Sequence, residues 1–415
     1  DLFADRGGFD LIIGNPPWIK AEWNEQAVLS DTQPMFAVKD LTATQTTQHR
    51  TEALEHAATR RLYFSEYESM SGTQSFLNAM QNYAYLKGQQ TNLYKCFLPQ
   101  AWQFGSKAGV SAFVHPDGVF DDPKGAVLRE HLYPRIRYHF TFRNEFMLFQ
   151  DILHLVTFSI NIYSNQQTSW FDCIGNLFIP STIDECYSNS SDCVVQGIKD
   201  SDGNWNTQGH ISRVIRVAKT ELSTFAVLFD GTNNYLHARL PVIHTKQLMD
   251  VLERFALQSK TLGDLQNEVF TSELWHETNA QKDGTIKRLV HFPESAVDMI
   301  FSGPHIGVGN PFYKSSRSIC LLHSDYDSTD ITSLPKEYFP RCNYSPNQNL
   351  TDYYAKTPMT PWGERHIDKY KIITRRMLSQ TGERTLMATI APPKTGYINT
   401  VFGITLKSEI SLVAG

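Results

Sequence analysis

The segment Phe9-Asp10-Leu11-Ile12-Ile13-Gly14, followed at once by Asn15-Pro16-Pro17-Trp18, narrows the folds open to this chain more than any other stretch. A short apolar run closed by glycine has the pattern of a strand buried in a parallel sheet. Two successive prolines offer no backbone N–H to a ladder and fix φ, so the strand must stop at Asn15. The sequence therefore predicts a strand whose carboxyl end carries a rigid turn. Taken alone, the four turn residues are also compatible with a plain proline-rich strand ending.

The pattern downstream extends the strand into a sheet. Residues 20–90 are polar and rich in Gln, Thr, Glu and Ala, with Leu54, Ala57, Ala58, Arg61, Leu62 and Phe64 at helical spacing within 51–67. This predicts an insertion of helices and loops. Leu93, Phe97, Leu98, Ala101 and Trp102 give a helix over 91–102. Strands follow at Gly109–Pro116 and Tyr138–Phe142, separated by a helix over 125–133, and 149–163 reads as a turn and hairpin. Such alternation predicts an α/β sheet with an antiparallel edge. After residue 164 the texture changes to a polar loop over 188–209, then mixed short strands and helices with the clearest helix at Leu248–Leu257.

Composition excludes several classes. The 415 residues are 41% hydrophobic and 20% charged, as in globular chains of two or three domains. No run approaches the ~20 apolar residues of a bilayer span, and no secretory signal opens the chain. A cytoplasmic protein without a membrane partner is expected. Cys96, Cys173, Cys186, Cys193, Cys320 and Cys342 form no C-x2-C pair, so reduced thiols and no metal are expected. The net charge of −5 excludes a uniformly basic nucleic-acid binder, but not one with its positive charge confined to a cleft. The chain starts at Asp1 without Met and reads as a piece of a longer polypeptide.

One reaction suits the turn. An exocyclic amine on a purine is a poor nucleophile because its lone pair is delocalised. Two acceptors in the amine plane, the Asn15 side-chain oxygen and the Pro16 carbonyl, draw it toward a reactive geometry, and the prolines hold them in place. Trp18 offers a face on which a flipped base stacks.

The segment 9–18 closely resembles motif IV of gamma-class, adenine-specific DNA methyltransferases with an Asn-Pro-Pro-Trp motif, of the fused restriction-modification and phage-defence type. Further pieces follow in that family's order: Asp1-Leu2-Phe3, Thr91 through Leu98, Gly109 through Pro116 with Leu128-Arg129, and Phe146 through Asp151. The resemblance implies a fold: residues 1–163 as the C-terminal half of a class I, Rossmann-like catalytic domain with a helical insertion at about 20–90. Residues 164–415 are then an α+β target-recognition region.

It also implies S-adenosylmethionine as cofactor, held in part by Asp1, Leu2, Asn15 and Leu93. Asn15, Pro16, Pro17 and Trp18 are the catalytic residues, and Trp18 and Phe149 stack on the target base. For Phe149, favoured on spacing over Phe146, a core role is the competing reading. Double-stranded DNA is the expected partner, with Lys369, Lys371, Arg375, Arg376 and Arg384 contacting it, alongside nuclease or defence-system subunits. A solvated surface accounts for the same charges without DNA.

The family's glycine-rich cofactor turn and ribose-binding acid have no counterpart here and are expected upstream, so the chain alone is expected to be inactive. The alternatives are methylation of a protein glutamine or an RNA amine, methylation of cytosine N4, and a non-catalytic DNA-specificity subunit.

Overall fold

The strand Phe9–Gly14 (β1) lies parallel to Gly105–Pro116 (β2), with Gly14 opposite Phe113. In this computed structural model the described residues are 2–408 other than 40, 42, 90, 192–194, 259, 323, 348 and 378–385. They fall into two compact units, Asp1–Leu257 and Gln258–Gly415.

In the first unit, Ile136–Arg143 (β3), Thr157–Ser164 (β4), Trp170–Leu177 (β5) and Ile215–Ala218 (β6) complete a six-stranded sheet in the order β1-β2-β4-β3-β5-β6. The architecture is mixed α/β with a Rossmann-like order. Antiparallel pairing is not confined to an edge, as the sequence reading had it. β4 runs antiparallel between β2 and β3, and β6 is antiparallel at the far edge. The cause is connectivity: the short loop after β3 sends β4 back into the gap between β2 and β3.

Alternate residues of the inner strands point to opposite faces. One face, carrying Phe113, Ile136, Tyr163 and Phe171, packs under the helices Leu93–Phe104, Gly118–Asp121 and Ala126–Leu132. The other carries Phe140, Phe142, Phe158 and Ile174, with Trp18 and Phe149 packed against them. Phe142 and Phe158 stack with centroids 5.4 Å apart, and each such buried side chain contributes roughly 1.5–3 kcal/mol.

β1 departs from the buried strand that its sequence predicts. It has a neighbour on one side only, and Phe9, Leu11 and Ile13 are 44%, 57% and 72% exposed. Gly8, at φ +129°, starts it: a Cβ there would stand 2.4 Å from the Phe104 carbonyl oxygen. The insertion is helical, with Glu25–Ser30, Met35–Val38, Ala43–Ala53 and the 22-residue Ala57–Asn78. The last begins later and runs longer than the predicted 51–67. The division expected at residue 163 falls inside the sheet, next to the end of β4, while the compact unit continues to Leu257.

The second unit is built from short strands: β7 (Val269–Ser272), β8 (Ile286–His291), β9 (Ile300–Phe301), β10 (Lys314–Ser316), β11 (Tyr326–Ser328), β12 (Cys342–Pro346), β13 (Lys371–Arg375), β14 (Ala388–Ala391), β15 (Gly396–Tyr397) and β16 (Val401–Leu406). β14, β13, β16 and β7 form a four-stranded antiparallel sheet in that order. β8 pairs with β12, β9 with β15 and β10 with β11. Tyr397, Tyr353, Phe301 and Ile373 are wholly buried in its cores.

Among the described residues, no helix is long and apolar enough to cross a membrane, and no cluster of His, Cys, Asp and Glu could hold a metal. Cys96, Cys173, Cys186, Cys320 and Cys342 are free and buried. Cys193 lies outside the described residues.

Candidate functional site

The turn after β1 is pinned from two sides. Trp18 Nε1 donates to the Val114 carbonyl of β2 at 3.1 Å. Past the turn, Leu93 N donates to Ile19 O at 2.9 Å and Ala21 N to Thr91 O at 3.1 Å, clasping the chain to the start of the helix Leu93–Phe104. With both prolines fixing φ, the backbone at Asn15 and the Pro16 carbonyl have little freedom to reorganise. Asn15 and Pro17 are exposed, Pro16 is buried and Trp18 is half-buried.

The structure brings Trp18 and Phe149 together. Their ring centroids lie 5.2 Å apart at 59°, and Phe158 completes the cluster at 5.8 Å from Trp18. Phe146 sits elsewhere, 48% exposed and 6.1 Å from Phe178. Phe149 owes its place to Asn144, a buried residue that the sequence reading missed. Asn144 Nδ2 donates to Phe149 O and Ile152 O, both at 2.8 Å, and its Oδ1 accepts from Phe149 N at 2.9 Å. The two rings touch, so a base stacking on Trp18 from that side displaces Phe149.

Beside β1 lies a cleft of about 570 Å³ walled by Phe9, Ile13, Phe97, Phe104 and Phe113, with Gly14 to Pro17 at its margin. Phe97, Gln100 and Phe104 reach it from one face of the helix Leu93–Phe104. Their spacing of three and four was the signal available in the sequence. Leu93 does not line this cleft. It is half-buried against the main core, and its backbone holds the chain after Trp18. Asp1 lies outside the described residues, and Leu2 opens the helix Leu2–Arg6. The apolar walls suit a flat ring, and Asn15 supplies a polar group at one end. No described side chain in the cleft offers a carboxylate for a ribose or a charged partner for an amino acid. These residues fit one end of S-adenosylmethionine and not the other.

A polar cluster lies under the helix-covered face at the carboxyl end of β2. Tyr163 Oη and Asn161 Nδ2 meet His115 Nε2 at 2.9 and 3.0 Å. Asn161 Oδ1 bonds His139 Nδ1 at 2.7 Å, and Thr141 bonds His139 Nε2 at 2.9 Å. All five residues are buried. Desolvation pushes the His115 pKa down to about 4, lowers that of His139 and raises that of Asp117, whose Oδ1 is enclosed without a partner. A second cleft of about 590 Å³ opens above, between Lys20, Asn92 and residues 121–124.

The expected DNA-contacting cations do not form one free stripe. Lys371 is fully buried, its ammonium donating to the carbonyls of Lys369 and Pro392, both at 3.2 Å, with burial lowering its pKa to about 7. An ammonium enclosed in this way does not reach a phosphate, which corrects the expectation for this residue. Lys369 pairs with Glu364 at 2.9 Å, Arg376 pairs with Glu273, and Arg375 bonds Met387 Sδ at 3.1 Å. Arg384 lies outside the described residues.

No protein-family model matches the chain, and no curated protein matches it in sequence. Its structure is similar to parts of restriction-modification enzymes with methyltransferase domains, at low identity. The Type IIL restriction-modification enzyme MmeI in complex with DNA aligns at 10% identity and TM-score 0.32 over 95% of this chain and 40% of that one. The type IIG restriction endonuclease BpuSI aligns at 11% and 0.29, over 81% of this chain and 39% of the other. The M protein of the Type I restriction enzyme EcoKI aligns at 14% and 0.25, over 59% and 65%. The chain thus spans about two-fifths of MmeI and of BpuSI. At these scores the shared shape is coarse, and no residue here takes a role from it.

Proposed function

We propose that this chain supplies the catalytic turn and the DNA-facing part of a methyltransferase that moves a methyl group from S-adenosylmethionine to N6 of an adenine flipped out of double-stranded DNA, within a restriction-modification or phage-defence system. The observation that carries the reading is the turn itself. An Asn-Pro-Pro-Trp sequence stands at the carboxyl end of a parallel strand, pinned by Val114 and Thr91, with Asn15 open to a cleft and Trp18 beside a second aromatic.

The division of labour follows from the residues. Asn15 Oδ1 and the Pro16 carbonyl accept the two amine N–H groups and turn the nitrogen lone pair toward the cleft. Trp18 and Phe149 take the faces of the base, Phe149 after swinging aside with the loop 144–156. The bound cofactor supplies an electrophilic methyl group. Asn15 lies at the exposed tip of the turn, so the proton released on N–C bond formation has an open route to water. No side chain with a shifted pKa is needed, because positioning provides most of the acceleration. The first unit, with its sheet continued through β5 and β6, acts as the downstream part of the catalytic domain, and the second unit as the target-recognition region.

The test is methyl transfer from tritiated S-adenosylmethionine to plasmid DNA by a polypeptide that contains this chain and a complete cofactor site. Label should appear as N6-methyladenine and fall by at least ~10²-fold in Asn15→Ala, as when a preorganised acceptor or donor is removed. Label on protein or RNA alone sinks the DNA reading. DNA binding without transfer to any substrate favours a specificity subunit.

A further inference from the structure

In the second unit a cavity of about 190 Å³ is enclosed by side chains from separate segments, among them Glu277, Arg288, Asn343 and Leu322. It is smaller than the ~300–1,000 Å³ of pockets for drug-sized ligands, which limits it to a single small ring system.

Its floor is polar and buried: Ser302 is 3% exposed, Asn343 5%, Tyr326 7% and Tyr344 2%. Burying this much polarity is costly unless each group is partnered. Ser302 Oγ and Tyr326 Oη bond at 2.7 Å, and Tyr326 Oη donates to Asn343 Oδ1 at 3.0 Å. With its oxygen so engaged, Asn343 presents its amide N–H groups to the cavity that it lines. Tyr344 Oη donates to Glu277 Oε1, which fixes that carboxylate at the wall and leaves its second oxygen as an acceptor.

Arg288, on β8 beside Tyr344, lines the cavity as a second donor. Its Nη2 also holds the hairpin tip, donating to Cys320 O at 2.8 Å and Leu321 O at 3.3 Å. Asp325 Oδ2 locks the tip further by accepting from Leu321 N and Leu322 N at 2.9 and 2.8 Å. The two leucines therefore stay in place at the margin of the cavity although 70% and 67% exposed.

We propose that this cavity takes one unstacked nucleobase bearing an oxo acceptor close to an exocyclic amine, as cytosine and guanine do. The Asn343 amide and the Arg288 guanidinium donate to the oxo edge, the Glu277 carboxylate accepts from the amine, and Leu321 and Leu322 cover the ring. Adenine lacks the oxo acceptor and thymine lacks the amine. The inference goes beyond methyl transfer and does not depend on it.

The test is saturation-transfer NMR on the full chain with deoxycytidine, deoxyguanosine, deoxyadenosine and thymidine in turn. Deoxycytidine and deoxyguanosine should bind at least about tenfold more tightly than the other two, a difference of one Kd decade. Glu277→Gln, which keeps the side-chain shape and a partner for Tyr344, should erase that preference. Asn343→Ala, checked for an unchanged circular dichroism spectrum, should abolish binding. Displacement of the nucleoside by a cytosine-containing single strand or duplex supports a base presented by a nucleic acid. Displacement by deoxycytidine monophosphate alone supports a free nucleotide. Equal binding of all four nucleosides, indifference to Glu277→Gln, or no saturation transfer from any of them overturns the proposal.

Discussion

Trp18 does two jobs that substitution can separate. Its ring packs on Phe149 and Phe158, and its Nε1 ties the turn to Val114. Trp18→Phe keeps an aromatic face and loses one hydrogen bond, so unfolding in urea should show a loss of about 1 kcal/mol. Trp18→Ala also removes the packing, and the loss should rise to roughly 3 kcal/mol.

His115 makes stability depend on pH. It is neutral in the folded chain, with its pKa pushed from 6.5 down to about 4 by burial. Below its ordinary pKa the unfolded chain binds a proton that the folded chain refuses, so stability falls as the pH drops from 6.5 toward 4. The loss from this group reaches roughly 3 kcal/mol at the lower limit. Chemical denaturation at a series of pH values should show the decline, and His115→Gln should make it shallower, the remainder coming from His139, His244, His305 and His366, which burial also lowers. At this scale the sequence carried the position and rigidity of the turn Asn15 to Trp18, because a proline pair dictates its own backbone. It did not carry Asn144 or the enclosure of Lys371. Both depend on contacts made by residues distant in the chain, which no local pattern encodes.

The loop between β3 and β4 hangs on one side chain. Asn144 supplies three hydrogen bonds within the loop that bears Phe149, and Met147 sits there at φ +54°. Asn144→Ala should cost roughly 2–3 kcal/mol and raise amide hydrogen exchange across 147–155, with little change elsewhere. No change in that exchange would mean that packing on Trp18 holds the loop without Asn144.

β1 allows a different test. Leu11 and Ile13 show alternating apolar side chains on a strand with one open edge, whereas edge strands are usually protected by charge. Ile13→Lys should leave the melting temperature of this chain within a few degrees, as exposed substitutions do. In any longer polypeptide where β1 becomes an inner strand, the same change should prevent folding. The apolar run predicted an inner parallel strand from composition, and composition cannot say what lies beside it. The positions of β1 to β4 were legible because alternation and proline stops are local. The place of β4 in the sheet was not, since order among strands follows from connection geometry.

At the scale of the whole molecule, two units with separate cores imply separable unfolding. The first core gathers around Phe113, Tyr163 and Phe171, the second around Tyr353, Phe301 and Tyr397. Differential scanning calorimetry should resolve two transitions or one with a calorimetric enthalpy above the van't Hoff value. The change of texture after residue 164 announced a second region, but the sheet takes two more strands before the first unit closes at Leu257. β5, as long as β3 and β4, is buried on both faces and so shows no alternation to mark it, and the four residues of β6 are too few to show a period.

The position of β4 sets an order in time. β2 and β3 are neighbours in sequence but not in space, and each presents an edge that only Thr157–Ser164 can fill. A nascent chain that has released β1, β2 and β3 holds two facing, unsatisfied edges. These edges can close on each other only when residue 164 clears the ribosome, because non-local pairing must wait for the strand that joins them. Synthesis that pauses between residues 143 and 157 would therefore lengthen the most aggregation-prone moment in the life of this molecule.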